Sequence, residues 1–146
     1  MGYWTGFITL VITLFIIWFM PKRLSKQEIY ITWGWMACLT LITDLLFGAT
    51  LDLYDFVESD ITVADIILQV TLPPSIGVIF LNFIPKKTLH FIIFLIVVTF
   101  VSSLYEWVAT ETGYLIFKGW KWWYSIPVYP LGMIYLRWHL NFIRKR

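Results

Sequence analysis

The sequence predicts an all-α protein, a polytopic integral membrane bundle of five transmembrane helices with its N-terminus outside and its C-terminus cytoplasmic. Three observations predict it. The 146-residue chain is 60% hydrophobic and only 14% charged, more apolar surface than one soluble core of that size takes in. Its apolar residues fall into five runs, each about as long as the roughly 20 residues that cross a hydrocarbon layer about 30 Å thick. Nine of the eleven Lys and Arg residues lie at one set of run ends, and eight of the nine Asp and Glu residues lie at or near the other. The length leaves no room for a separate soluble domain, so residues 1–146 form one transmembrane domain.

The first run, about 3–20, follows Met1-Gly2-Tyr3-Trp4 with no basic residue before it, and Lys22 and Arg23 come after it. It therefore reads as a retained span, not a cleaved signal. A proline-started basic turn, Pro21-Lys22-Arg23-Leu24-Ser25-Lys26, leads to the second run at about 29–49. The third, about 64–84, carries Pro73 and Pro74 near its middle, where each removes a backbone donor and the pair kinks the helix. A packing kink is the simpler account of the pair; a hinge or a cavity lining is the alternative. A second basic turn, Pro85-Lys86-Lys87, leads to the fourth run at about 88–107. The fifth, about 125–142, ends beside Arg137 and Arg144-Lys145-Arg146. By the positive-inside rule these three clusters face the cytoplasm, which an odd number of spans requires.

The nine tryptophans agree with that topology, because indole favours the membrane–water interface. Trp4, Trp107, Trp120, Trp122 and Trp123 would mark the outer boundary, and Trp18, Trp33, Trp35 and Trp138 the inner one. Two outer loops remain. Thr50 to Val63 holds Asp52, Asp55, Glu58 and Asp60 with no basic residue, and Ala109 to Tyr124 is rich in aromatics. The second loop is too apolar to extend into water, so it is expected to lie flat as an interfacial turn or short helix hinged at Gly113 and Gly119.

Candidate functional residues sit in the outer half. A carboxylate at a span centre costs about 2.5–3.5 kcal/mol on insertion scales, so Asp44 and Glu106 should face protein or water. Four helices carry polar stripes: Thr40 with Asp44, Asp65 with Gln69, Thr99 and Ser102 with Glu106, and Thr5, Thr9 and Thr13 on the first span. Such stripes commonly join helices by hydrogen bonds worth about 0.6 kcal/mol each. The outer half nevertheless holds eight acids against Lys118 and Lys121, a formal −6. Asp44, Asp65 and Glu106, with Asp52 or Asp55, are therefore candidates for a proton or cation site of oxygen ligands. Which metal, and which cofactor if any, the sequence leaves unknown. Lys118, Trp120, Lys121, Trp122 and Trp123 form a candidate outer interface.

Catalysis is disfavoured by position. The two histidines, His90 and His139, belong to the inner half, far from the carboxylates, and are most simply interfacial residues. Haem ligation by the pair, a Ser-His-Asp triad, a zinc peptidase motif, a P-loop and a retinal lysine all lack support. Cys38 is the lone cysteine and has no partner for an internal disulfide. Gly34 and Cys38 form a single small-xxx-small pair. The basic residues are dispersed along membrane ends, which argues against nucleic acid as a partner. The expected partners are the lipid bilayer and another membrane protein or a second copy of the chain.

Four blocks, Asp52-Leu53-Tyr54-Asp55-Phe56, Asn82-Phe83-Ile84-Pro85, Tyr105-Glu106-Trp107 and Gly119-Trp120-Lys121-Trp122-Trp123-Tyr124-Ser125, carry a resemblance. Over roughly its second half the chain resembles an uncharacterised family of small polytopic membrane proteins from spore-forming, Gram-positive-type bacteria. The resemblance implies a multi-pass protein of the bacterial cell membrane, brings no activity with it, and draws attention to Asp52, Asp55, Glu106 and Lys121. The expected function is a non-catalytic membrane component or complex subunit with an acidic and aromatic recognition surface. The alternative is a proton- or cation-handling transporter or channel subunit.

Overall fold

The computed structural model describes residues 2–58 and 60–145, so Arg146 of the last basic cluster lies outside the described residues. Five helices run Gly2–Phe19 (α1), Lys26–Thr43 (α2), Val63–Phe83 (α3), Thr88–Glu111 (α4) and Trp122–Arg144 (α5). Among the described residues, four helices are long and apolar enough to cross a membrane: α1, α2 with its extension to Thr50, α3 and α4. Residues of the fifth expected run do form a helix, but Pro127, Pro130, Arg137 and His139 make α5 less apolar than the others.

Helix α3 is the centre of the bundle. It packs against α1 and α2, while α4 pairs with α5 and α5 also reaches α3 and α2. Half of the α3 span is buried, against about a fifth or less of each of the other three. Those helices turn large apolar side chains outward, with Val11, Phe15, Ile96 and Phe100 each more than 60% exposed. So much apolar exterior is a liability in water and fits a surface solvated by lipid chains. One core cluster gathers Val78 and Leu81 of α3 with Met133, Leu136 and Leu140 of α5, and a second gathers Leu68 and Leu72 with Leu10 and Tyr114.

The proline pair of α3 shows how its neighbour supports it. In a regular helix residues 73 and 74 would donate to the carbonyls of Gln69 and Val70, and proline cannot. Both orphaned carbonyls receive donors from α2: the Thr40 hydroxyl reaches Gln69 O at 3.0 Å and the Trp33 indole reaches Val70 O at 3.2 Å. Trp33 is thus tied into the bundle and is not a free interfacial anchor. His139 departs from expectation likewise: it is buried, stacks at 6.3 Å on Trp35 and leaves Nε2 without a hydrogen-bond partner among the described residues.

The turns cap helices at both ends of the bundle. Ser25 and Glu28 form a reciprocal capping box at the start of α2, and Arg144 of α5 pairs with the same Glu28 at 2.6 Å. Beside them, buried Asn82 accepts from Arg23 N at 2.8 Å and donates to Pro21 O at 2.9 Å, fastening the first basic turn to α3. Gly113 is the left-handed residue of a Schellman cap on α4, with φ 71° and a Tyr114 N to Ala109 O bond of 2.9 Å. It closes a helix; it was expected to hinge a loop.

At the acidic end the two loops join. Tyr54–Phe56 (β1) and Leu115–Phe117 (β2) pair antiparallel, Tyr54 opposite Phe117 and Phe56 opposite Leu115. The aromatic loop is therefore one strand of a ribbon, where a flat helix or turn was expected. Isolated strands this short do not hold together in water. Here the pairing extends beyond the strands, through Val57 N to Tyr114 O and through Leu53 O, which accepts from the amides of residues 118, 119 and 120 at 2.9–3.0 Å. Leu53 N ties it to the helical turn before it by donating to Phe47 O at 3.0 Å.

Candidate functional site

The chain from Asp44 to Thr50 continues α2 as a π-helix, closed by bonds such as Leu51 N to Leu46 O. π-Turns are uncommon and concentrate at functional sites. This one places Asp44 beside Gly48 and facing the phenol of Tyr54, the first residue of β1. Burial, and then the negative charge of Asp44, push the Tyr54 phenol up to about 12.

Asp65 serves first as a helix cap. One oxygen, Oδ2, accepts from the amide and hydroxyl of Thr62, both at 2.8 Å, and from the Tyr3 hydroxyl at 3.2 Å. The other oxygen, Oδ1, is buried and has no hydrogen-bond partner among the described residues. Asp44 lies within electrostatic reach of Asp65 and Asp55.

Glu106 occupies a different place, the interface of α4 with α5. Ser125 Oγ donates to its Oε1 at 2.7 Å and the Tyr129 hydroxyl donates to Oε2. Ser125 in turn accepts from the Trp120 indole at 2.9 Å. Indole can only donate. The chain of bonds therefore runs one way, Trp120 to Ser125 to Glu106. Ser125 and Tyr129, four residues apart on one face of α5, were legible as a polar pair, but nothing local to them pointed to Glu106.

Asp52 and Asp55 are engaged as well. Lys118 reaches Asp52 at 2.5 Å and Asp55 at 2.8 Å, bridging the approach to β1 and the end of β2. The two carboxylates, and the hydrogen bonds they accept before any field effect, hold the Lys118 ammonium above its ordinary range. Lys121 sits over the Trp123 ring at 5.2 Å, a cation–π contact. Trp120 packs edge-on against Phe47, Tyr54 and Tyr124, whereas Trp122 and Trp123 stay exposed.

The expected cation site of Asp44, Asp65 and Glu106, with Asp52 or Asp55, does not assemble. Among the described residues no three His, Cys, Asp or Glu side chains form a group able to hold a metal ion. The reason is the pairing of helices: Asp44 and Asp65 belong to the α2–α3 pair, and Glu106 turns toward α5. Thr99, expected below Glu106, lines a groove together with it, and so does Ser103. The groove lies between α4 and α5, has a volume of about 1070 Å³ and is lined mainly by apolar side chains. No family model, curated protein or solved structure matches the chain.

Proposed function

We propose that the chain is a five-span protein of a bacterial cell membrane, N-terminus outside, acting as a non-catalytic component that recognises a cationic segment of another membrane protein through its acidic cap. The observation that carries this is the ribbon: two loops some sixty residues apart pair into one strand-bonded surface locked by Lys118 between Asp52 and Asp55. The lock leaves Glu58, Asp60 and Glu111 exposed, as are Trp122 and Trp123. Charge supplies selectivity and the aromatics supply contact area.

A fifth crossing by α5 is supported by its two ends. Ser125 bonds Glu106 near the acidic end of α4, and Arg144 pairs with Glu28 at the basic end of α2. A helix of 23 residues spans about 34 Å. Impermeant maleimide applied to intact cells tests it, using single cysteines at 60 and 145 in a Cys38→Ala background. Five spans require labelling at 60 before lysis and at 145 only after it; labelling of both before lysis means α5 does not cross. For recognition, a partner should copurify with the wild type and be lost from the combined Glu58→Gln, Asp60→Asn and Glu111→Gln variant. A clean monomer under mild extraction overturns it.

Proton handling is a second role, favoured by the buried Oδ1 of Asp65, which has no hydrogen-bond partner among the described residues, near Asp44 in its π-turn. Proton uptake by proteoliposomes should then exceed that of empty vesicles and fall with Asp44→Asn or Asp65→Asn. Wild-type uptake at the empty-vesicle level removes this role.

A further inference from the structure

We infer that the groove between α4 and α5 binds an amphiphile bearing a protonated amine on a long alkyl chain, with the amine at Glu106. Both carboxylate oxygens of Glu106 accept hydrogen bonds, from Ser125 and Tyr129, as an ionised carboxylate does. Its charge has no cationic partner within 4 Å among the described residues. Both lysines of that end are engaged elsewhere, Lys118 by Asp52 and Asp55 and Lys121 by Trp123. A buried carboxylate at membrane depth is expected to be paired, and the groove offers the space from which a cation would come.

The shape suits one chain with a polar head. Thr99, Ser103, Glu106 and Thr110 fall on the same face of α4 and line the groove as a single polar row within an apolar wall. Trp107 and Trp122 stand at its acidic end, where their rings would flank an ammonium. From there the groove runs down α4 to Ile92, about 21 Å along the helix axis at 1.5 Å per residue. Its volume of about 1070 Å³ lies just above the usual range for small-molecule sites, about 300–1,000 Å³. Pro127 and Pro130 of α5 line the opposite wall. A membrane helix from a partner would fill the apolar part equally well. The charge at the interfacial end is what favours a headgroup.

The test titrates the purified full-length chain in detergent with octadecylamine, octadecanol and octadecanoate, and reads bound probe by native mass spectrometry. The wild type should bind the amine about tenfold or more tightly than the alcohol, the scale of one hydrogen-bonded charge pair, and the acid least. Glu106→Gln should bring the amine to the level of the alcohol. Ser103→Phe keeps the carboxylate and narrows the groove, so it should weaken amine and alcohol together, and it covers the case in which Glu106→Gln fails to fold. Equal binding of amine and alcohol by the wild type overturns the inference, as does an undiminished amine preference in Glu106→Gln. Crosslinking of a Phe100→Cys variant to a second protein, unaffected by the amine, would show that a helix occupies the groove instead.

Discussion

If α2 side chains satisfy the carbonyls that the prolines of α3 orphan, removing the donor should matter only while the proline is present. Trp33→Phe deletes the 3.2 Å indole bond to Val70 O and leaves that carbonyl without a donor. Pro74→Ala restores a backbone N–H four residues along the helix, so in that background the indole bond is redundant. An unsatisfied buried group costs about 1–3 kcal/mol, and interhelical bonds in membranes average about 0.6 with a maximum near 1.7. A coupling of about 1–1.5 kcal/mol is therefore expected from the Trp33–Pro74 cycle. Thr40 with Pro73 should couple more weakly, below about 1 kcal/mol, because its single hydroxyl proton also has Met36 O and Ala37 O within 3.1 Å. Reversible unfolding in mixed micelles of increasing SDS content, followed by circular dichroism, measures all four proteins of each cycle. A Trp33–Pro74 coupling within about 0.3 kcal/mol of zero, the scatter of independent sites, would refute the reasoning.

Tyr54 should ionise near pH 12 and Tyr54→Phe should remove that step from the tyrosinate absorbance; because the folded state keeps its proton longer than the unfolded value of 10, its contribution is intact below pH 10 and about 2 kcal/mol is lost by pH 12. A wild type whose alkaline stability curve matches that of Tyr54→Phe contradicts this. Asn82→Leu should lower stability by about 2 kcal/mol, since both of its bonds to the first basic turn go and the turn's own groups can partly find water; a loss under about 0.5 kcal/mol would mean the turn holds itself. Gly6→Ala should cost about 1–3 kcal/mol by overpacking, because a Cβ there meets Leu68 and Tyr114, both buried, at 2.8 Å; an unchanged melting temperature in detergent would show that α1 can withdraw. Thr32→Val should be neutral or stabilising by up to about 1 kcal/mol, as the Thr32 hydroxyl is fully buried without a partner among the described residues, and a clear loss in the same SDS titration would reveal a partner.

The first four helices were legible because each is written locally: an apolar run of membrane length, stopped by Pro21, Pro85 or a glycine such as Gly113. Their order and the gathering of charge at two ends follow from the same text. The ribbon was not legible. Tyr114-Leu115-Ile116-Phe117 between Gly113 and Gly119 is rich in strand-favouring residues, but Asp52-Leu53-Tyr54-Asp55-Phe56 is not, and strand partners so far apart in the chain are chosen by the helix ends that bring them together. The bond partners of Asp65 were half legible, since Thr62 stands three residues before it as in a capping box, whereas Tyr3 comes from α1. Glu106 shows the limit most clearly. Its depth in the span was readable, but its partners Ser125 and Tyr129 were not, because they come from α5 and are set by what α4 packs against.

By itself, then, the sequence determined that the chain is helical and apolar enough for a membrane, where its helices turn, and which ends hold the acids. Only the tertiary structure decided that Asp52 and Asp55 are locked by Lys118, that Asp44 and Asp65 stand apart from Glu106, and that Glu106 faces a groove. The physical reason is that an apolar solvent selects segments by their average composition, which every residue reports locally. The direction a single side chain faces depends on packing and hydrogen bonds with helices tens of residues away, and no local average carries that information.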